Sequence, residues 1–377
     1  MKTNTADLFP KNYTDSRERF LSQHPGVLEY WSDATLGHHA LADHANLTID
    51  WLRADALDQP ERILIITTGE HGAEGKVGAA MLQLFMEQYL PRLNPQNTGL
   101  LLVHALNPWG MQNNRRVNAN NVDLNRNFIG RGDQFKPEPN ADYRSLNTFL
   151  NPQQTLPGYP GAGWSFMLKL LKIMFSPGES ALRAGTLIGQ HEYPQGLYFG
   201  GWKQEEETRV MMSLYKEAVL RYKQILHLDM HTGYGPRFQM SLVNSPLEPR
   251  TPQELSAAFD YPAVVAATSD EFYDIQGDMI DWIYRFVQRN FPEKRLYATA
   301  FEFGTLGDSL PNAVRSLKAM IFENQVYWHG AASEGAEQRI KATFRELYSP
   351  TEQAWRENAV VDARRAFDGI LRDQGFF

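Results

Sequence analysis

Apolar residues along this chain fall into short runs that are bounded by glycine, proline and asparagine. Four of these runs predict buried strands, at residues 62–68, 100–106, 225–230 and 296–303. The first three are almost continuously apolar, and the fourth is less apolar but rich in aromatic residues. Strands of this kind are typical of a sheet that is covered on both faces.

Helical periodicity appears between and after these runs. Residues 76–90 carry apolar side chains at helical spacing, and residues 311–328 predict a further helix with proline at its start. The alternation of strand and helix predicts an α/β fold with a mixed, largely parallel central sheet and helices on both faces. We expect one catalytic domain over residues 1–377, with residues 1–50 packed on it as an N-terminal extension. Residues 129–163 are rich in Gly, Pro and Asn and predict a long irregular insertion.

The overall composition narrows the class of protein. Of the 377 residues, 42% are hydrophobic and 21% are charged, which is typical of a soluble globular protein. The net charge of −7 disfavours nucleic acid as the main partner, because phosphate binding requires a basic surface. The first residues show no signal-peptide segment, and no apolar run approaches the roughly 20 residues of a membrane helix. We expect a cytoplasmic protein with neither nucleic acid nor membrane as a partner, although a chain without cysteine would also suit the periplasm.

The candidate metal chemistry rests on histidine and carboxylate, because the chain contains no cysteine. His71 and Glu74 follow the first predicted strand in the segment TTGEHGAEGKVG, and His231 ends the third in LDMHTGYGP. Together they form the His₂Glu set of a catalytic zinc site, which keeps a fourth position open for water. Taken singly, the H-x-x-E pair also arises by chance, and His231 also suits a core histidine that is bonded to the backbone.

Two further sets of polar residues accompany these ligands. The loop RRVNANNVDLNRNF contains Arg116, Asp123, Asn125 and Arg126. Arginine binds carboxylates through both oxygens, and an aspartate can accept the free N–H of a ligating histidine. A solvated polar turn is the alternative explanation of this loop. Glu302 lies within the aromatic strand TAFEFGT, where a carboxylate is either a member of a salt bridge or a general base.

In combination, these segments resemble the zinc carboxypeptidase family, the carboxypeptidase A-like metallopeptidases. The matching segments are HGAE at 71–74, RVNANNVDLNRNF at 116–128, DMHTG at 229–233 and FEFGT at 301–305. They occur in the order of that family and span most of the chain, roughly residues 60–330. DLNRNF is the most specific of them and H-x-x-E the least.

The resemblance implies a role for each matching position. It implies that His71, Glu74 and His231 bind one Zn²⁺ per chain. It also implies that Glu302 activates the attacking water, and that Arg116 steadies the carbonyl oxygen as it becomes an oxyanion.

The resemblance further implies a binding site for substrate. Asn125 and Arg126 match the pair that grips the terminal carboxylate, and Asp123 matches the partner of the ligating His71. A substrate-contacting tyrosine precedes the catalytic glutamate in that family, which nominates Tyr284, with Tyr273 as the competitor. Tyr284 lies in a segment that reads as a helix, whereas the family tyrosine belongs to a mobile loop.

Two departures from the family pattern point to a bacterial carboxypeptidase-like subgroup of uncertain substrate. TGYG follows the third ligand, and the segment GQHEYPQGLYFGG occupies residues 189–201. His191 in this segment either has a packing role, which is the simpler interpretation, or faces the cleft.

These roles imply hydrolysis of an amide bond next to a free carboxylate, on a peptide or an N-acyl amino acid. Carboxypeptidase activity is the first hypothesis. The alternatives are an amidohydrolase that deacylates N-acyl amino acids and a non-catalytic zinc-binding protein of the same fold. Loss of Glu302 or of a metal ligand would mark the last of these, and all of them are present in the sequence.

Overall fold

The computed structural model describes residues 5–130, 136–176, 178–267 and 276–377. Within these residues, the strands are β1 (Thr35–Leu41), β2 (His44–Ala54), β3 (Arg62–Thr68), β4 (Thr98–His104), β5 (Gln224–Thr232), β6 (Met240–Asn244), β7 (Val264–Ala266) and β8 (Arg295–Phe303). The α-helices are α1 (Thr5–Leu8), α2 (Tyr13–Ser22), α3 (His24–Leu28), α4 (Gly75–Gln88), α5 (Pro108–Asn113), α6 (Ala141–Leu150), α7 (Tyr159–Phe175), α8 (Glu179–Leu187), α9 (Glu206–Arg221), α10 (Pro252–Phe259), α11 (Met279–Asn290), α12 (Leu310–His329), α13 (Glu334–Tyr348) and α14 (Gln353–Asp373).

The strands form one mixed sheet in the order β1-β2-β4-β3-β5-β8-β6-β7. The central strands β4, β3, β5 and β8 are parallel to one another. β2 joins β4 and β6 joins β8 in antiparallel pairs, so the ends of the sheet are mixed. The four predicted strands are β3, β4, β5 and β8, within about two residues at each end. The prediction of a mixed, largely parallel sheet is confirmed.

Both faces of the sheet are buried. Successive side chains of a strand point to opposite faces, so each strand contributes to two cores. In β3, Leu64 and Ile66 pack into a core that includes Phe367 of α14. Ile63 and Ile65 pack into a second core that includes Tyr215 of α9. Each fully buried aliphatic side chain contributes about 1.5–3 kcal/mol through removal from water. Helices therefore cover both faces, as the apolar strands predicted.

The N-terminal residues pack tightly on this sheet. Trp31 is fully buried, and its indole N–H donates to the carbonyl oxygen of Thr98 over 2.8 Å. The hydroxyl of Tyr13 donates to the carbonyl oxygen of Thr48 over 3.0 Å. Strands β1 and β2 belong to the central sheet itself. Residues 35–54 are therefore part of the framework rather than an appended extension.

The prediction of irregular structure over residues 129–163 is wrong for much of that segment. Helix α6 lies inside it, and α7 begins at Tyr159. The side chain of Asn140 caps α6 by accepting the N–H of Tyr143, and Tyr143, Leu146, Phe149 and Leu150 bury one helical face. Proline and glycine around these helices obscured their periodicity. Residues 131–135 lie outside the described part of the chain.

Candidate metal centre

The carboxyl ends of the central strands bring the predicted site residues to one edge of the sheet. His71 and Glu74 follow β3, His231 lies at the end of β5 and Glu302 near the end of β8. In open α/β sheets, this edge is where ligands bind. His231 and Glu302 are register partners between β5 and β8.

Two glycines allow the backbone after β3 to turn back on itself. Gly69 has a φ of +65°, which residues with a side chain rarely adopt. A Cβ on Gly72 would lie 2.1 Å from the carbonyl carbon of Gly110, so only glycine permits this approach to α5. The Gly72 N–H also donates to the carbonyl oxygen of Arg116. This turn places His71 and Glu74 beside the loop that carries Arg116.

The three predicted ligands converge on one point. Nδ1 of His71 lies 3.0 Å from Oε1 of Glu74, and Nδ1 of His231 lies 3.2 Å from Oε2 of the same carboxylate. One donor atom from each residue lies within 4.8 Å of the others. Zn²⁺ with tetrahedral bonds of about 2.0–2.1 Å separates its ligand atoms by roughly 3.3 Å. Nδ1 of His71 is buried and makes no hydrogen bond, so this donor set fits a divalent cation.

Each histidine presents its other ring nitrogen to a buried aspartate. Nε2 of His71 lies 3.1 Å from Oδ1 of Asp123, and Nε2 of His231 lies 2.5 Å from Oδ2 of Asp229. Such pairing fixes the imidazole tautomer and leaves Nδ1 free to bind a metal. Asp123 was predicted in this position, but Asp229 was missed. Its signal was its place two residues before His231, on the same face of β5.

The charges of the site favour a cation between the histidines. Burial alone would raise the pKa of Glu74, but His71 and His231 hold it well below its ordinary value. Burial would also lower the pKa of His231, but Asp229 and Glu74 raise it well above the ordinary value. The carboxylates of Glu74 and Asp229 are thus stabilised by a positive charge next to them. Either a proton on the histidine or a metal ion can supply that charge.

Glu70 is a further buried carboxyl, and no pattern in the sequence predicts it. Neither of its oxygens makes a hydrogen bond, although Oε2 lies 3.4 Å from Nε2 of His231. Burial, with Asp229 as the next contribution, raises the pKa of Glu70 well above its ordinary value. Burial beside Asp229 therefore disfavours the charged form of Glu70.

Arg116 lies beside the ligands in a fixed position. Its Nη1 is 3.3 Å from Oε1 of Glu74, and its Nε is 3.1 Å from Oδ2 of Asp123. Asp123 thus contacts both His71 and Arg116. Burial would raise the pKa of Asp123, but Arg116 and His71 hold it well below its ordinary value. Glu74 and Asp123 therefore hold the guanidinium of Arg116 next to the three candidate ligands.

Glu302 brings a further carboxyl group to the candidate ligands, as the register partner of His231. Its Oε2 is buried and makes no hydrogen bond. The pKa of Glu302 is raised to about 7, mainly by burial. The charge of Glu74 also raises it, whereas His231 and Arg116 lower it. These neighbours place Glu302 beside the ligands, and a pKa near neutrality suits proton transfer at neutral pH.

Asn125 and Arg126 lie next to this centre but are largely occupied by protein contacts. The side-chain oxygen of Asn125 accepts the N–H of Met279 over 3.0 Å. Nη1 of Arg126 donates to the carbonyl oxygen of Asn125, whereas its Nε is buried and makes no hydrogen bond. A Cβ on Gly189 would lie 2.6 Å from Cδ of Arg126, so the 189–201 segment packs closely over this side chain. Nε of Arg126 is thus enclosed beneath Gly189 without an acceptor.

The prediction that Tyr284 contacts substrate is wrong. Tyr284 is buried in the core between α11 and the sheet, and its hydroxyl donates to Oε2 of Glu248 over 2.6 Å. Tyr284 belongs to the apolar face of α11, and that face packs against the core. The competitor, Tyr273, lies outside the described residues.

Two other tyrosines lie at the arginines instead. Tyr198 has a left-handed φ of 55°. Burial raises the pKa of its hydroxyl, and the charges of Arg116 and Arg126 oppose that rise. Burial raises the pKa of the Tyr348 hydroxyl, and the charge of Arg116 opposes that rise. Neither was predicted. Tyr198 belongs to the GQHEYPQGLYFGG segment, where Nδ1 of His191 lies 2.7 Å from the carbonyl oxygen of Gly201 and ties the ends of the segment together.

The sequence profile of one protein family covers nearly the whole chain. This family is described as a protein of unknown function, DUF2817, and its profile matches residues 9–362. The chain belongs to this family. No curated protein matches it in sequence.

Several solved structures share part of the fold. Bovine thrombin-activatable fibrinolysis inhibitor is 15% identical over 82% of this chain and 94% of its own, with a TM-score of 0.47. Carboxypeptidase A from Helicoverpa armigera is 12% identical over 90% of this chain and 74% of its own, with a TM-score of 0.48. Murein-tripeptide amidase MpaA from Escherichia coli O157 is 17% identical over 76% of this chain and 91% of its own, with a TM-score of 0.38. At these identities and TM-scores, none of the likenesses assigns an activity to the chain.

Proposed function

We propose that this protein is a zinc-dependent hydrolase that cleaves an amide bond next to a free carboxylate, in the manner of a carboxypeptidase. The observation that carries the proposal is the convergence of His71, Glu74 and His231, with donor atoms within 4.8 Å of one another. Glu302 and Arg116 flank this set. We propose one Zn²⁺ per chain, held by these three side chains, and residues 1–377 as one catalytic unit.

Glu302 is the proposed base. Zinc bound at the site would polarise the substrate carbonyl and lower the pKa of a water molecule towards about 7. The free oxygen of Glu302 can accept a proton from the attacking water and return it to the leaving amine. Burial raises the pKa of this carboxyl, which favours its taking up the proton.

Arg116 is the proposed oxyanion donor. Its contacts with Glu74 and Asp123 hold the guanidinium in place before substrate arrives. A donor that is positioned in advance stabilises the developing negative charge without reorganisation, and loss of one such donor typically costs about 10²–10³ in rate.

Arg126 and Asn125 are proposed to bind the substrate carboxylate. The buried Nε of Arg126 makes no hydrogen bond, and a carboxylate would supply the acceptor. Fixing the carboxylate in this way would hold the adjacent amide near the ligands and the base. The proposed substrates are therefore peptides or N-acyl amino acids with a free carboxylate.

Deacylation of N-acyl amino acids is the second candidate function. The observation in its favour is the enclosure of Arg126, whose side chain is buried beneath Gly189. An enclosed anchor suits a small amino acid product better than a long peptide. A non-catalytic role is less well supported, because the sequence retains the three proposed ligands and Glu302.

Metal analysis combined with a substrate panel tests the proposal. We expect about one zinc per chain in the purified protein, loss of activity with a chelator, and recovery on adding zinc. Blocked dipeptides and N-acyl amino acids are then compared at equal concentration. Cleavage of N-acyl amino acids alone would favour the second candidate. Zinc-loaded protein that hydrolysed neither class would contradict both.

A further inference from the structure

Helix α7 is apolar on two opposite sides. Its inner side packs into the protein: the ring of Phe166 lies 5.4 Å from that of Phe149 in α6 and 5.9 Å from that of Phe322 in α12. Leu170 and Ile173 are buried in the same core. These contacts fix the helix on the surface of the protein and leave its outer side to solvent.

The outer side carries a stripe of large apolar residues. They are between 48% and 83% exposed, and they are Trp164, Met167, Leu168, Leu171 and Phe175. At 100° per residue, these positions fall within an arc of roughly 100° on the side opposite the buried residues. A helix that is apolar all round normally has partners on both sides. Contiguous exposed apolar patches usually mark interaction sites.

The charge of this region differs from that of the whole chain. The chain has a net charge of −7, yet it has no acidic residue between Asp142 and Glu179. Lys169 and Lys172 are both exposed, and they lie on one flank of the outer stripe. The only charged side chains of α7 are therefore positive.

This charge decides between the two simplest partners of the stripe. A second copy packed across a two-fold axis would bring Lys169 and Lys172 near the same lysines, and α7 has no acidic residue to neutralise them. An anionic lipid surface supplies both an apolar layer and negative charge. Trp, Phe and Leu on one side with flanking lysines are typical of helices that lie in the plane of a membrane interface. No helix within the described ranges is long and apolar enough to cross a bilayer, so the contact would be peripheral.

We propose that α7 docks this protein on the surface of an anionic lipid bilayer. The outer stripe enters the boundary between headgroups and acyl chains, while Lys169 and Lys172 contact lipid phosphates. This departs from the expectation of no membrane partner, which rested on the absence of a spanning segment. It is independent of the proposed hydrolase activity, because none of these residues belongs to the metal centre.

Vesicle co-sedimentation of the full-length, zinc-loaded protein tests the proposal. We expect binding to vesicles of mixed phosphatidylcholine and phosphatidylglycerol and much weaker binding to pure phosphatidylcholine. Leu168→Ser with Phe175→Ser should abolish binding, since both side chains are exposed and their loss leaves the core intact. Lys169→Glu with Lys172→Glu should weaken it by about 25-fold or more, because each lysine near an anionic surface contributes roughly a factor of five and each glutamate is repelled.

Matched variants in and just after α9 provide the controls. Leu220→Ser removes an equally exposed leucine from α9, and Lys216→Glu with Lys223→Glu makes the same charge change elsewhere. These variants should bind as the wild type does, and thermal melts should show that all variants are folded. Equal binding to both vesicle types, or wild-type binding by the Leu168→Ser, Phe175→Ser variant, would overturn the proposal. So would self-association in sedimentation velocity that this variant abolishes, because the stripe would then bind a second copy.

Discussion

His231 and Glu302 face each other as register partners on the adjacent parallel strands β5 and β8. The pairing places a proposed metal ligand and the proposed base at the same height on the edge of the sheet. It also fixes their separation through the backbone hydrogen bonds of the two strands rather than through a loop. A base carried by a strand next to the ligand needs no conformational change to reach the site, which favours catalysis over simple metal binding.

Glu302→Gln tests this division of roles. The substitution keeps the size of the side chain but removes proton transfer, so we expect kcat to fall by about 10²–10⁴. Zinc content should remain about one per chain, because Glu302 is not among the proposed ligands. Activity assays and metal analysis on the same preparation measure both. Loss of zinc in this variant would show that Glu302 is a ligand instead.

Asp229→Asn tests the role of the buried aspartate behind His231. The asparagine has nearly the same shape but lacks the negative charge of Asp229, whose Oδ2 lies 2.5 Å from Nε2 of His231. We expect zinc affinity to fall by about 10–100-fold, as is usual when such a partner is removed. Competition with a chromogenic chelator measures this affinity. Asp368→Asn, which removes an exposed ion pair with Arg92, is the control and should leave it unchanged.

The sequence predicted the frame of the site well. Strands β3, β5 and β8 are short apolar runs, and their ends carry the ligands and the base, so the parallel sheet places these residues together. Glu70 shows the limit of this reasoning. Its environment depends on Asp229 from a strand more than 150 residues away in the chain, and no local pattern reveals that contact.

Tyr284 shows a different limit. The resemblance to a family assigned it a role by its distance from Glu302 along the chain. However, Ile280, Ile283, Tyr284 and Val287 are all buried on one face of α11. Their spacing predicts a helix that packs on the core. This spacing is a better guide to the place of Tyr284 than its distance from Glu302 along the chain.

Arg126→Ala tests the proposed carboxylate anchor. Removal of the guanidinium should lower kcat/KM by about 10–100-fold for substrates with a free carboxylate, mainly through a higher KM, because a charge-assisted hydrogen bond is lost. Amidated analogues of the same substrates should be affected much less. Arg144→Ala removes an exposed arginine that pairs with Glu192 and should have no effect. An equal loss on acid and amide substrates would contradict the anchor.

Glu207→Gln tests a pH-dependent contribution to stability. Glu207 is buried, and burial, with Glu205 nearby, raises its pKa from 4.5 to about 8. Between these values the folded protein holds a proton that the unfolded chain has released, so the free energy of unfolding falls as pH rises from about 4.5 towards 8. The full shift corresponds to a loss on the order of 3–5 kcal/mol.

Glutamine resembles the protonated side chain and can still accept from Asn118, which donates to Glu207 over 3.2 Å. We therefore expect Glu207→Gln to raise the melting temperature by several degrees at pH 8 and to change it little at pH 5. Glu29→Gln, at an exposed site, should change neither value. Calorimetry at both pH values measures the difference. A variant that is less stable than the wild type at pH 8 would show that Glu207 is ionised in the folded protein and that its charge is stabilising.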